Sequence, residues 1–298
     1  VSDLATHNVV SPRRVAAARH VFSLWRRFRL ARNWELSIGL AIIAVMVLAA
    51  LLAPLIARYP PNQINIVASL QSPSWQHWMG TDFVGRDIFS RVLYGLRVDL
   101  LVVAVITYLG LIIGAILGTI SGYVGGWFDA VVGRVADTVI AFPFLVLVLA
   151  VVAIVGPGLK GVGIGIVLVG WALYFRLARS EMLTMREQPF MMATKALGYS
   201  HLRAIFRHAL PNLIRTSLVY STVDVVVNML VIAGLSYLGL GQQAPGADLG
   251  SIIASGQSYL LSAWWITTIP GVVLMLFGIG VSLMGDGITR GELTLGSL

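Results

Sequence analysis

The chain has 298 residues, 57% hydrophobic and 11% charged, with a mean hydropathy of +0.85 and a net charge of +8. Soluble domains carry about 25% charged residues, so this composition excludes an ordinary water-soluble domain and places the chain in a bilayer. There is no cysteine, which excludes disulfides, thiolate metal sites and a cysteine nucleophile.

In chain order, residues 1–35 read as a cytoplasmic tail. Arg13, Arg14, Arg19, Arg26, Arg27, Arg29 and Arg32 precede the first apolar stretch. Residues 21–32 alternate apolar and Arg side chains, as an interfacial helix does. The first stretch, 36–57, is expected as an uncleaved span, because Pro54 and Arg58 stand where a small-residue cleavage site would lie. Five more apolar stretches follow, at 98–121, 138–155, 161–180, 216–238 and 264–284. Each approaches the ~20 residues that cross ~30 Å of hydrocarbon as helix. Lipid does not tolerate unpaired backbone. The expected fold class is therefore an all-α integral membrane domain of six transmembrane helices. With the N-terminus inside, inside segments hold 16 of the 21 Lys and Arg residues and outside segments hold 5. That asymmetry sets both termini inside, and it makes nucleic acid the weaker explanation of the positive charge.

Residues 58–97 form an external loop that begins irregularly at Pro60, Pro61 and Pro73. Asp82/Arg86 and Asp87/Arg91 are spaced i,i+4, and Val84, Ile88 and Val92 make an apolar stripe. The pattern predicts a short interfacial helix with local ion pairs; direct ligand binding is the other reading. The second span carries Gly110, Gly114, Gly118 and Gly122, a period that lets another helix approach closely. The loop 122–137 is short and inside, and Gly156-Pro157-Gly158 makes a tight external turn.

A polar, basic island, 186–215, separates the fourth and fifth spans. Pro189 suits a first helical turn. Phe190, Ala193 and Leu197 make an apolar stripe widened by Met191, Met192 and Ala196. Gly198 breaks this helix, Ser200 caps a second through 201–210, and Pro211 ends or kinks it. An exposed apolar stripe without lipid cover suggests docking into a groove on another protein. Within the fifth span, Asp224 and Asn228 one turn on either line a pathway that attracts a cationic or amino group, or satisfy a helix–helix hydrogen bond. Asp99 and Asp137 read as interfacial. The loop 241–263 lacks Lys and Arg. Ile252, Ile253, Tyr259 and Leu260 predict a short re-entrant helix there, serving an external protein contact or gating, or simply capping the span ends.

His7, His20, His77, His201 and His208 share no metal-ligand spacing, so no metal site is expected. His201 and His208 are expected to meet phospholipid or a docked protein. No Gly-x-x-x-x-Gly-Lys-Ser/Thr loop occurs, so no nucleotide site is expected in this chain. A secondary transporter would not need the island, and an integral membrane enzyme would need a cluster of buried acid, base or metal ligands.

The Gly198 to Leu210-Pro211 spacing behind an amphipathic helix resembles the coupling segment of ABC importer permeases. The runs Gly80-Thr81-Asp82, Gly85-Arg86-Asp87, Ser90-Arg91 and Tyr94-Gly95 resemble the C-type subunit of the dipeptide, oligopeptide and nickel branch. So do Ala141-Phe142-Pro143, Gly156-Pro157-Gly158, Leu235-Ser236-Tyr237-Leu238-Gly239-Leu240-Gly241 and Gly285-Asp286-Gly287. The resemblance runs from about residue 22 to 290. It implies a type I importer permease fold, arranged as a tail (1–35), a first transmembrane helix (36–57), an external loop (58–97) and a permease domain (98–290). It implies a non-catalytic subunit forming half of a translocation pathway, for dipeptides or oligopeptides, or for nickel or glutathione-type solutes. ATPase coupling falls by resemblance to Phe190, Met191, Met192, Ala193, Thr194, Lys195, Leu197, Gly198, His208, Leu210 and Pro211. The implied partners are a second homologous permease in a heterodimer, two ATP-binding subunits that bind the ATP and Mg, an extracytoplasmic substrate-binding protein, and the lipid of a bacterial cytoplasmic membrane. No cofactor is implied in this chain. It departs from the family where Met192 replaces Glu, Thr194 the second Ala, Ile232 a Glu, and Thr289-Arg290 an Arg-Asp pair. Met192 removes a polar contact and leaves the apolar docking face.

Overall fold

The computed structural model describes residues 34–296, so the tail and the helix expected over 21–32 lie outside the described residues. In chain order the helices are α1 (Trp34–Leu51), α2 (Ile88–Val124), α3 (Gly126–Ala141), α4 (Phe144–Val155) and α5 (Leu159–Met185). They continue with α6 (Pro189–Ala196), α7 (His201–Tyr237), α8 (Leu249–Gly256) and α9 (Trp265–Gly296). A single turn, Ala53–Ile56, follows α1, and a 3-10 turn, Ile66–Ala68, lies in the loop before α2. No β-strand occurs among the described residues.

Five helices, α1, α2, α5, α7 and α9, are long and apolar enough to cross a bilayer. The stretch expected as the third span belongs to a bent pair, α3 and α4, which meet at 97° and make a sixth crossing only if the two count as one broken span. The break falls at Phe142-Pro143. Phe142 is extended, at φ −82° and ψ 145°, as a residue before proline is driven to be. The expected short loop 122–137 is thus largely helix.

α2 is the axis of the bundle. Its 37 residues extend about 55 Å at 1.5 Å per residue, well beyond the hydrocarbon. The glycine period has the role its spacing indicates. A Cβ at Gly114 would strike the Trp171 carbonyl, at Gly118 the Phe175 carbonyl, and at Gly122 the Arg179 carbonyl. The backbones of α2 and α5 therefore touch. α1 closes on α9 in the same manner, with Gly39 against Gly280 and Met284, and Gly287 against Leu36. The main core includes Ile106, Ile166, Met229 and Ile232 among its buried side chains.

The interfacial helix expected in 58–97 is not formed. Residues 80–87 are a loop, and α2 starts at Ile88 because Asp87 caps it. Asp87 Oδ2 accepts from the Ser90 amide and hydroxyl, both at 2.8 Å, and Oδ1 lies 2.9 Å from His77 Nδ1. Asp82 does pair with Arg86, at 2.6 Å, but across a turn in which its carboxylate also takes the Val84 and Arg86 amides. A short acidic side chain that binds its own backbone offers an alternative to helix. Arg91 lies 3.9 Å from Asp82 rather than pairing with Asp87. This lobe is pinned to the bundle where Trp265 Nε1 donates to the Thr81 carbonyl at 3.1 Å.

At the same end, α8 covers Ile252 and Ile253 of the expected helix but ends at Gly256, with Tyr259 in a following 3-10 turn and Leu260 beyond it. Asp248 builds a capping box with Ser251. Asp99 Oδ2 accepts from the Leu249 amide at 2.9 Å, which ties the start of α8 to α2. Asp99 is therefore a buried anchor, not an interfacial charge.

Candidate functional site

The segment between α5 and α7 lies at the end of the bundle opposite the lobe. Pro189 opens α6, and Gly198 reverses the chain at φ +72°, a conformation that favours glycine. The Ser200 side chain accepts from the Arg203 amide at 3.4 Å and starts α7. Pro211 does not end that helix. A π turn, Ala204–Ala209, directly precedes it, and the wider turn accommodates the clash between a proline ring and the carbonyl four residues back.

α6 divides the expected stripe into two faces. Met191 is fully buried among Met182, Ala204, Ala209 and Leu213. Thr194 is buried with its hydroxyl donating to the Met191 carbonyl at 2.7 Å. The opposite face is open: Leu197 is 70% exposed, Met192 56% and Phe190 44%, with Ala193 beside them. Leu202 and Phe206 extend this apolar surface onto α7, flanked by exposed Arg203 and Arg207. Leu210 is half-buried against the Leu111, Ala115 and Tyr174 cluster, and Pro211 is exposed. Nothing is described of the Lys195 side chain. Both histidines have partners within the chain. His201 Nδ1 lies 3.2 Å from the Tyr123 hydroxyl, and His208 stacks on Tyr199 at 5.5 Å.

The end of α5 that leads into the segment is cross-braced. Arg179 makes a two-pronged pair with Asp129 of α3, at 2.5 and 2.6 Å. Ser121 of α2 donates to the same carboxylate at 2.6 Å, and Arg186 reaches the Gly122 carbonyl at 3.3 Å. Beside this brace an open groove of about 820 Å³ separates the lower parts of α5 and α7, lined by Glu181, Gln188, Phe190, Asn212 and Thr216.

Asp224 and Asn228 stand on α7 away from the segment; Leu210 and Asp224 are about 21 Å apart along the axis at 1.5 Å per residue. Asp224 Oδ2 accepts from the Tyr174 hydroxyl at 2.9 Å and from Asn228 Nδ2 at 3.1 Å. Asn228, buried, also donates to Thr107 Oγ1 at 2.9 Å. The pair thus joins α7 to both α5 and α2. Tyr174, Thr107 and the Asp129–Arg179 brace carry no sequence signal, since their partners are distant in the chain. Among the described residues no group of three His, Asp or Glu is placed to hold a metal ion.

The sequence matches the family model of binding-protein-dependent transport system inner membrane components over residues 110–291, and that of the N-terminal transmembrane domain of oligopeptide transport permease C over 23–73. A dipeptide transport system permease protein of Alkalihalophilus pseudofirmus is 39% identical over 268 residues, 89% of this chain and 88% of the relative. A probable D,D-dipeptide transport system permease protein of Escherichia coli is 38% identical over 247 residues, 83% of each chain. A putative peptide transport system permease protein of Brucella abortus is 38% identical over 264 residues, covering 87% and 88%. Among solved structures, an inward-facing MetNI methionine ABC transporter chain superposes with a TM-score of 0.53 at 18% identity, covering 67% of this chain and 94% of that one. This last likeness is one of fold.

Proposed function

This chain belongs to the binding-protein-dependent transport system inner membrane component family, and on that premise we propose that it forms half of an ATP-driven import pathway for small peptides. It is a multi-pass membrane permease of the ABC importer class. The peptide substrate is supported by relatives that share 38–39% identity over most of both chains and are named for dipeptide or peptide transport. The other half of the pathway is a second, homologous permease. ATP is hydrolysed by two partner subunits, and an external binding protein delivers the substrate. The lobe faces outside and α6 faces the cytoplasm of a bacterial cell, in keeping with the Arg and Lys distribution.

The observation that carries the coupling role is the open face of α6. Phe190, Met192 and Ala193, with Leu197 just past the helix end, are exposed on a helix whose Met191 is buried against α5 and α7. Such a helix transmits force: a partner that grips the exposed face moves the buried one and, with it, the ends of two membrane helices. Leu197→Asp places a charge in this face and Gly198→Trp places a side chain at positive φ. Both substitutions should abolish co-purification of the ATPase subunits and ATP-driven dipeptide uptake in reconstituted vesicles. Retention of both properties by both variants refutes the coupling role.

A further inference from the structure

A polar ridge follows α7 through the apolar bundle. Asn212, Thr216, Tyr220, Asp224 and Asn228 succeed one another at every fourth residue, and such a ridge winds slowly around a helix. At its lower end it forms a wall of the groove, which Asn212 and Thr216 line together with Glu181 of α5. Further along, the rings of Tyr174 and Tyr220 meet edge to face at 5.2 Å. Next comes Asp224, half-buried, and then Asn228 anchored on α2.

Both donors onto Asp224, the Tyr174 hydroxyl and the Asn228 amide, are neutral groups. Among the described residues no Lys, Arg or His lies within ion-pair distance of Asp224 or Glu181. An ionisable side chain inside a bilayer is costly and persists where it meets a cation or lines a pathway. Asp224 receives both of its hydrogen bonds on Oδ2, which leaves Oδ1 to accept from a ligand. The amino terminus of a peptide is a compact ammonium with three donors, as in the lysine head group. We propose that Asp224 binds the α-ammonium group of the translocated peptide, and that Glu181 receives the same group at the mouth of the groove. Tyr174 and Asn228 are positioning residues that fix the Asp224 carboxylate. This inference rests on the peptide-importer reading above.

The test uses the whole complex in vesicles, with binding protein and labelled alanyl-alanine as the transported probe. Asp224→Asn should lower uptake about tenfold, the loss of one charged contact, and Glu181→Gln should lower it about threefold. Binding-protein-stimulated ATP hydrolysis and subunit co-purification should persist in both. Asp224→Glu, which keeps the charge, should retain most uptake. Wild-type uptake by Asp224→Asn overturns the site, as does an equal loss in Asp224→Glu, which would mark a packing role rather than a charged contact. Should Asp224→Asn not assemble, unchanged uptake by Glu181→Gln overturns the site by itself. If the wild-type complex hydrolyses ATP yet moves no peptide, the substrate reading itself is refuted, and that failure is visible without any variant.

Discussion

At the scale of single residues, the glycines give a sharp contrast. Gly118 lies where an added methyl meets the Phe175 carbonyl, whereas a methyl at Gly133 on α3 meets nothing within 4 Å. Overpacking a tight interface costs about 1–3 kcal/mol, while Gly→Ala in an open helix gains about 0.5–1 kcal/mol. Gly118→Ala should therefore lower the thermal unfolding midpoint of the purified permease and Gly133→Ala should raise it. Shifts of the same sign in both would contradict the packing described. Met191 and Met192 show the reverse lesson about legibility. Adjacent and chemically identical, they are 0% and 56% exposed. The sequence places both near one apolar stripe, and only the packing of α6 across Met182 and Leu213 separates a buried residue from one open to a partner.

At the scale of elements, α3 and α4 behave as two rods rather than one span. Ala141-Phe142-Pro143 was visible as a motif, but its bend follows from proline stereochemistry acting where α3 is fastened sideways to α5. The fastening is the Asp129–Arg179 pair. Its side chains are 15% and 36% exposed, so solvent screening limits its worth to about 1 kcal/mol. Asp129→Asn and Arg179→Gln should each lower stability by about that amount and lower ATP-driven uptake more severely, since the brace holds the end of α5 that enters the segment. The exchange Asp129→Arg with Arg179→Asp should restore part of both. A double-mutant cycle in thermal unfolding measures the coupling; additive single losses would rule out the brace.

At the scale of the whole molecule, the five long helices and the bent pair form one bundle with different chemistry at its two ends. The lobe end carries the Asp82, Asp87, Asp99 and Asp248 anchors, each matched to backbone donors or to a cation. The opposite end carries the α6 face and its flanking arginines. The orientation proposed here is open to direct measurement because the native chain has no cysteine. Trp75→Cys, at a position 89% exposed on the lobe, should react with a membrane-impermeant maleimide in intact cells. Glu187→Cys, exposed beside α6, should react only after permeabilisation. The opposite pattern would invert the topology and remove α6 from the reach of ATP-hydrolysing partners.

Hydrophobic runs, charge asymmetry and glycine period are local properties of the chain, and they determined by themselves that this is a helical membrane protein with close-packed helices and an amphipathic, basic segment between two of them. Lipid leaves a backbone few alternatives, so composition alone settles much of the fold. The tertiary structure decided what depends on distant partners: that Asp82 and Asp87 close a loop instead of lying on a helix, that Asp99 anchors α8 from 150 residues away, and that Tyr174 meets Asp224. Hydrogen bonds between helices are set by how the helices cross. That crossing is fixed by the sum of many packing contacts, which no single stretch of sequence contains.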